Sequence, residues 1–525
     1  MRIPLGWLGE LVELKQPATP HAVMQELVKL GLEEEASHGA EIRGPVVVGQ
    51  VLDFVEEPQS NGKTIRWCTV RVAPDGSKAA DGGESVRGIV CGARNFAKDD
   101  MVVVSLPGAL LPGGFEISAR KTYGHVSDGM IASARELGLG EDHSGILILS
   151  DLGVDAEIGT DAIELLGLAE SAAEVSVTPD RGYCLSMRGI AREYALATGQ
   201  QFNDPAHSVA SKLGSGFALA VDSKVADSRI DPGCTRFELL EVSNLDATAP
   251  SPNWMKTRLR LAGMRPISLL VDVTNYVMLE LGQPLHAYDA DKLQGGISVR
   301  RAKPGEKLVT LDEKERQLHT EDLVIADEGG AIGMAGVMGG LRTEVDSTTR
   351  RVLLEAANFH PISIARSARR HRLPSEASRR FERGVDPEIA SASATRAANL
   401  LVELAGGKIT GGGASYQTAI KQPKLTVSVQ QISQRIGVEY SAEQVRTALE
   451  GIGCELGSRG SADLGESFEV TPPSWRPDLR IPEDFAEEVA RIQGYDQIPS
   501  VLPVAPPGRG LSREQQLRRR LPECR

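Results

Sequence analysis

Closely spaced cysteines are what this 525-residue sequence most plainly lacks. Its six stand alone at positions 68, 91, 184, 234, 454 and 524. With no C-x-x-C pair, zinc ribbons and disulfide frameworks are disfavoured and a reducing, cytoplasmic setting is expected. Aromatic residues are few, at 4%, although 41% hydrophobic residues leave enough for proper cores. Long apolar runs are missing too. The N-terminal MRIPLGWLGELVELK is broken by Glu10 and Glu13, unlike a signal peptide, and the run from Ala331 to Leu341 is too short to span a bilayer. No membrane partner is expected. Positive charge is short: Lys and Arg total 58 against 71 for Asp and Glu, a net charge of −13. That excludes a strongly basic nucleic-acid coat and leaves RNA only local patches. There is no P-loop, no G-x-G-x-x-G after a strand and no G-x-S-x-G, so no local signature of a phosphate cradle or a serine nucleophile.

The length allows three or four domains. A helix is expected to open at Thr19, with Pro20 at its first position, apolar Val23, Met24, Leu27 and Leu30 on one face, and Gly31 past its end. A similar helix opens at Ser441, with Gln444 completing a capping box. Val23, Leu27, Leu30, Gly31 and Glu33 align with Val445, Leu449, Ile452, Gly453 and Glu455, as copies of one small module would. Any capped amphipathic helix ending in glycine shares much of that pattern. Residues 41–150 carry β-branched runs separated by Gly or Pro turns, the pattern of a small barrel. Residues 151–200 return to helix, and 210–405 alternate strand-like runs (Ser268–Val273, Gly296–Arg300, Leu323–Ala326) with helical ones. Residues 424–500 form a last helical module, and 501–525 a linker followed by the start of a new helix.

Chemistry concentrates in four places. MRPISLLVDVTNYVMLELGQPLHAYD, residues 264–289, sets Asp272, Thr274, Asn275, Gln283, His286 and Asp289 in an apolar run; such groups need partners, either in a core network or on a pocket wall. IGMAGVMGG, Ile332 to Gly340, lets backbone approach a ligand or simply turns tightly. Glu355 follows Val352, Leu353 and Leu354, where a carboxylate is either paired or aimed into a pocket. Arg366, Arg369, Arg370, Arg372, Arg379, Arg380 and Arg383 make the most basic segment of an acidic chain, suited to phosphate or to tying domains together. Finally, Asp484, Glu487 and Glu488 fall on one helical face with Asp478 just before. Four converging carboxylates would suit a hard cation such as Mg²⁺, though acidic residues also stabilise helix starts.

The stretch 264–289, with IVCGARNF…PGALLPGG, RRHRLPSEASRRFERGVDP and RPDLRIPEDFAEEVARIQGYD, resembles in family order the bacterial phenylalanyl-tRNA synthetase beta subunit, from Trp7 to about Pro506. The resemblance implies a multidomain α+β fold. An N-terminal helical module (1–40 and 151–200) would enclose an OB-fold tRNA-binding barrel (41–150). An α/β editing domain (210–405) and a helical, winged-helix-like Mg²⁺ module (424–500) would follow, in the N-terminal part of a longer chain. It further implies an alpha-subunit partner bearing the synthetic site, in an assembly of two alpha and two beta chains. ATP and tRNA(Phe) would be substrates, and mischarged tyrosyl-tRNA(Phe) would be edited by hydrolysis. The implied editing positions are Thr274, Asn275, His286 and Glu355, with Ala335, Gly336 and Gly339 lining the pocket. The implied Mg²⁺ ligands are Asp478, Asp484, Glu487 and Glu488. The alternative is a tRNA-binding scaffold that does not edit.

Overall fold

Two stretches far apart in the chain build the same small unit. The first runs strand Arg2–Pro4, helices Leu5–Leu11 and Pro20–Val28, strands Glu33–Gly39 and Ser171–Ser176, then helix Met187–Thr198. The second runs strand Leu425–Ser428, helices Val429–Ile436 and Ala442–Gly451, strands Glu455–Leu456 and Gly465–Thr471, then helix Pro482–Gln493. In both, the last of these strands lies antiparallel between the other two. The aligned residues explain why. Thr19 and Ser441 accept hydrogen bonds from the amides of Ala22 and Gln444, capping equivalent helices. Gly31 and Gly453, at φ +86° and +90°, turn each chain into its next strand. Val23, Leu27 and Leu30, like Val445, Leu449 and Ile452, are buried. The correspondence continues beyond the sequence alignment: at one constant offset Arg181, Glu193 and Gly199 match Arg476, Glu488 and Gly494.

This is a computed structural model, and it describes all residues except 40, 61, 140–143, 208, 210–213, 223–232, 419–421, 458–459, 463–464, 503, 505–509 and 521–525. The boundary expected at 210 and the terminal LPECR lie outside the described residues.

Between Gly39 and Ser171 the chain makes an excursion into a five-stranded antiparallel sheet, ordered Met130–Ile131, Met101–Ser105, Val46–Pro58, Thr64–Arg71, Val86–Cys91. Alternation in the long strand sends Val47 and Val51 into one core and Val46 and Val48 into another. Among the described residues no helix is long and apolar enough to cross a membrane.

The central region is built on two further five-stranded sheets. In the first, Leu285–Asp289 is the edge strand beside Arg351–Phe359, which pairs in turn with Cys234–Ser243 and that with Lys408–Gln417. Alternation sorts its two faces. Ala287, Val352, Leu354 and Ala356 meet helices Leu269–Leu281 and Ala390–Ala405. Tyr288, Leu353, Ala357 and Phe359 meet the second sheet, including Leu323–Asp327 and Gly330–Met334, and the helices Pro361–His371 and Glu376–Phe381. The expectation of a strand at Ser268–Val273 is corrected here. Leu269, Leu270, Val273, Tyr276 and Val277 recur at helical spacing, and burying that stripe outweighs β-branched propensity. Asp272 holds the helix start, accepting from the Ile267 amide at 2.8 Å and the Ser251 hydroxyl at 2.6 Å.

Candidate functional site

His286 and Glu355 are register partners on adjacent strands, so their side chains share a face. That face looks toward the second sheet and encloses a cavity of about 200 Å³. Its walls include His286, Tyr288, Glu355, the Gly336–Gly339 turn, and Ala377 and Phe381 from the arginine-rich segment. The lining is mostly apolar with a few convergent polar groups, the usual composition of a small-molecule pocket.

Each polar group is in an unusual state. Nε2 of His286 is sealed from solvent and has no hydrogen-bond partner; burial pushes the ring's pKa down to about 4, so the ring is neutral at pH 7. Glu355 is 5% exposed. Burial pushes its carboxyl up to about 7, against the opposing pull of a hydrogen bond donated by the Tyr288 hydroxyl. Glycine is required where the turn meets this face: a Cβ on Gly339 would lie 2.3 Å from the His286 ring, and one on Gly336, at φ +66°, 2.8 Å from Phe381.

Of the expected pocket residues, the structure brings together His286, Glu355, Gly336 and Gly339. Ala335 is buried beside the turn but donates its amide to the Leu323 carbonyl and does not line the cavity. Thr274 and Asn275 do not line it either, which corrects their placement in the pocket. They sit on helix Leu269–Leu281, which packs on the opposite face of the sheet, and Thr274 Oγ1 donates to the Val271 carbonyl at 2.7 Å. Tyr288 was missed from sequence. The alternation that pairs position 286 with 288 on one strand face was its available signal.

The expected cation ligands meet arginines instead. Glu488 accepts from Arg181 at 3.0 Å, Arg476 at 2.9 Å and Arg491 at 2.5 Å. Asp478 is bidentate with Arg476, Glu487 accepts from Arg181 at 3.1 Å, and Asp484 accepts the Arg480 and Ile481 amides at the helix start. Among the described residues no group of three or more His, Cys, Asp or Glu side chains is placed to hold a metal ion. Asp478, Asp484, Glu487 and Glu488 therefore do not fit Mg²⁺. Spacing along one helix showed the carboxylates but not the guanidinium groups arriving from residues 181 and 476.

The basic segment divides. Arg370 pairs with Glu321 and Asp322, Arg380 with Glu376 and the Leu185 carbonyl, Arg383 with the Val177 carbonyl, and Arg379 lies 3.7 Å from Glu376. Arg366, Arg369 and Arg372 are exposed to solvent.

Residues 233–406 match the B3/4 domain model and residues 425–495 the tRNA synthetase B5 domain model, so the chain carries two regions similar to known domains, the second of a kind described from tRNA synthetases. It is 61% identical to the phenylalanine–tRNA ligase beta subunit of Leifsonia xyli, 52% to that of Thermobifida fusca and 51% to that of Streptomyces avermitilis, over 99% of this chain in each case. It is thus similar along nearly its whole length to phenylalanine–tRNA ligase beta subunits, and spans about three fifths of the length of these relatives, 60–61%. An N-terminal fragment of the Pyrococcus horikoshii phenylalanyl-tRNA synthetase beta-subunit aligns over 62% of this chain and 88% of that one, at 16% identity and a TM-score of 0.30, too loosely to define the fold.

Proposed function

We propose that this chain serves a phenylalanine–tRNA ligase, an enzyme that uses ATP to attach phenylalanine to tRNA(Phe). In this reading an alpha subunit supplies the synthetic site, and the present chain supplies tRNA binding, through the sheet of residues 46–131 read as an OB-fold among other surfaces, and hydrolysis of tyrosyl-tRNA(Phe). The setting is the cytoplasm. The observation that carries the reading is the cavity with a neutral, unpartnered His286 Nε2 beside the buried carboxylate of Glu355. Glu355 accepts the tyrosine hydroxyl. His286 accepts a hydrogen bond at the ester end, where water adds to the carbonyl carbon, the bond to the terminal ribose oxygen breaks, and tyrosine and free tRNA leave. No protein nucleophile is involved, and no step is routed through a metal.

The test is hydrolysis of tyrosyl- and phenylalanyl-tRNA by the 525-residue chain. The wild type is expected to prefer the tyrosyl ester, and His286→Ala to slow both hydrolyses while keeping that preference. Wild type that spares both esters would leave a tRNA-binding scaffold.

Exposed Arg366, Arg369 and Arg372 are assigned to the phosphate backbone, since the four other arginines of the segment are committed to acids or carbonyls. Replacing all three with alanine is expected to weaken tRNA binding and to flatten its salt dependence by about 0.7–0.9 in log–log slope for each phosphate no longer neutralised. A titration at several salt concentrations reads this. An unchanged slope would place the RNA elsewhere.

A further inference from the structure

The reading of Glu355 as the hydroxyl acceptor leaves Tyr288 without a role, although it touches that carboxylate. Tyr288 is fully buried and stands two residues beyond His286 on the edge strand, its ring edge-on to the imidazole with centroids 4.5 Å apart. Its hydroxyl donates to Oε2 of Glu355. Both side chains line the cavity.

We infer that Tyr288 is a positioning residue that sets amino-acid selectivity: its phenol holds one oxygen of Glu355, so that the other is the one offered to the cavity. This rests on the proposed hydrolytic reading. A carboxylate has an acceptor oxygen for each of two hydroxyl donors. Tyr288 fills the first place permanently, and a bound tyrosine side chain brings a second phenol to the other. Phenylalanine leaves that oxygen bare in an apolar cavity, which is costly. Tyr288 also supports the charged form of a carboxyl that burial otherwise drives toward neutrality. Without the phenol, Glu355 has no neighbour to fix its rotation and more readily carries its own proton. The titratable groups facing it are His286 on the edge strand, Tyr288 itself, and Cys234 on the strand across the sheet, whose thiol burial and Glu355 push up.

The experiment is a double-mutant cycle in the full chain with Tyr288→Phe, Glu355→Gln and both together, reading the ratio of tyrosyl- to phenylalanyl-tRNA hydrolysis. Tyr288→Phe is expected to lower the ratio about tenfold, the scale of one charge-assisted hydrogen bond, and to have no further effect once residue 355 is Gln. A purely structural tyrosine would change both hydrolyses together and leave the ratio alone, and additive effects would show independent action; either result overturns the inference. A second measurement stands apart from catalysis. The Glu355 carboxyl, followed by carbon-detected NMR as pH is varied, is expected to titrate at higher pH in Tyr288→Phe than in wild type. If wild type hydrolyses neither ester but this shift is present, the hydrolytic reading fails while the Tyr288–Glu355 coupling stands. An unmoved midpoint overturns the coupling itself.

Discussion

Replacing Glu488 with alanine is expected to destabilise the junction between the two duplicated units by about 3–5 kcal/mol, the usual cost of removing one partner from a buried ionic network. Glu488 is fully buried, and three guanidinium groups converge on it: Arg181 from the first unit, Arg476 and Arg491 from the second. Arg491 reaches on to Glu193, the counterpart of Glu488 in the first unit. Without Glu488, three buried cations share too little negative charge. Arg491 foremost, with Arg476, holds the Glu488 carboxyl well below the ordinary carboxylate range. A depressed carboxylate pKa contributes stability that is present above the unfolded value of about 4.5 and is lost only as pH falls through the much lower folded one. The junction should therefore survive mild acid. Glu487 makes the control: its side chain is 54% exposed, paired with Arg181 and accepting a long hydrogen bond from the Tyr495 hydroxyl at 3.4 Å, so Glu487→Ala is expected to cost no more than about 1 kcal/mol. Hydrogen exchange along helices 187–198 and 482–493 reads both. Equal protection in the two variants would show that the network does not hold the units together.

The second large effect is on selectivity. Glu355→Ala should lose about 1–3 kcal/mol of discrimination between tyrosyl and phenylalanyl esters, roughly fivefold to 150-fold in the ratio of their hydrolysis rates. The pH dependence has a definite sign. Because burial raises the carboxyl to about 7, it is mostly neutral below that pH and ionised above it. An ionised acceptor makes the stronger bond to a phenol, so preference for the tyrosyl ester should climb as pH rises through about 7. The same shift weakens folding between about pH 4.5 and 7, where the unfolded carboxyl ionises and the buried one resists. Glu355→Gln should flatten both trends. A variant retaining the wild-type ratio and its pH slope would move the hydroxyl acceptor away from this residue.

The parts of this molecule legible in the sequence are those written in local periodicity and caps. Thr19, Gly31, Ser441 and Gly453 announced the duplicated helices because capping and positive-φ turns depend on the residue at hand. His286, Gly336, Gly339 and Glu355 were legible because a polar or glycine residue in an apolar strand is unusual wherever it lies. Thr274 and Asn275 misled because neighbours in sequence to a pocket strand can belong to a helix on the other side of the sheet, and only the stripe from Leu269 to Val277 reveals this. The acidic cluster misled for the complementary reason: Glu488 meets Arg181 across a separation of 307 residues, and no spacing rule along one helix can see such a partner. The arginine segment needed the structure as well, since Arg370 and Arg366 are alike until Asp322 is found against one of them.

The pairing of Gly39 with Ser171 has a meaning for how such a chain can change. These two residues face each other on one ladder, so the whole five-stranded excursion leaves and rejoins the first unit at a single point. Topologically it is an overgrown hairpin. Loop closure becomes costlier only with the logarithm of loop length, about 0.6 kcal/mol per doubling, and the sheet beneath registers the ends of the excursion, not its contents. A sheet mounted this way can be enlarged, trimmed or exchanged over evolutionary time while the strands at its base keep their partners and the buried arginine–glutamate lock keeps its shape.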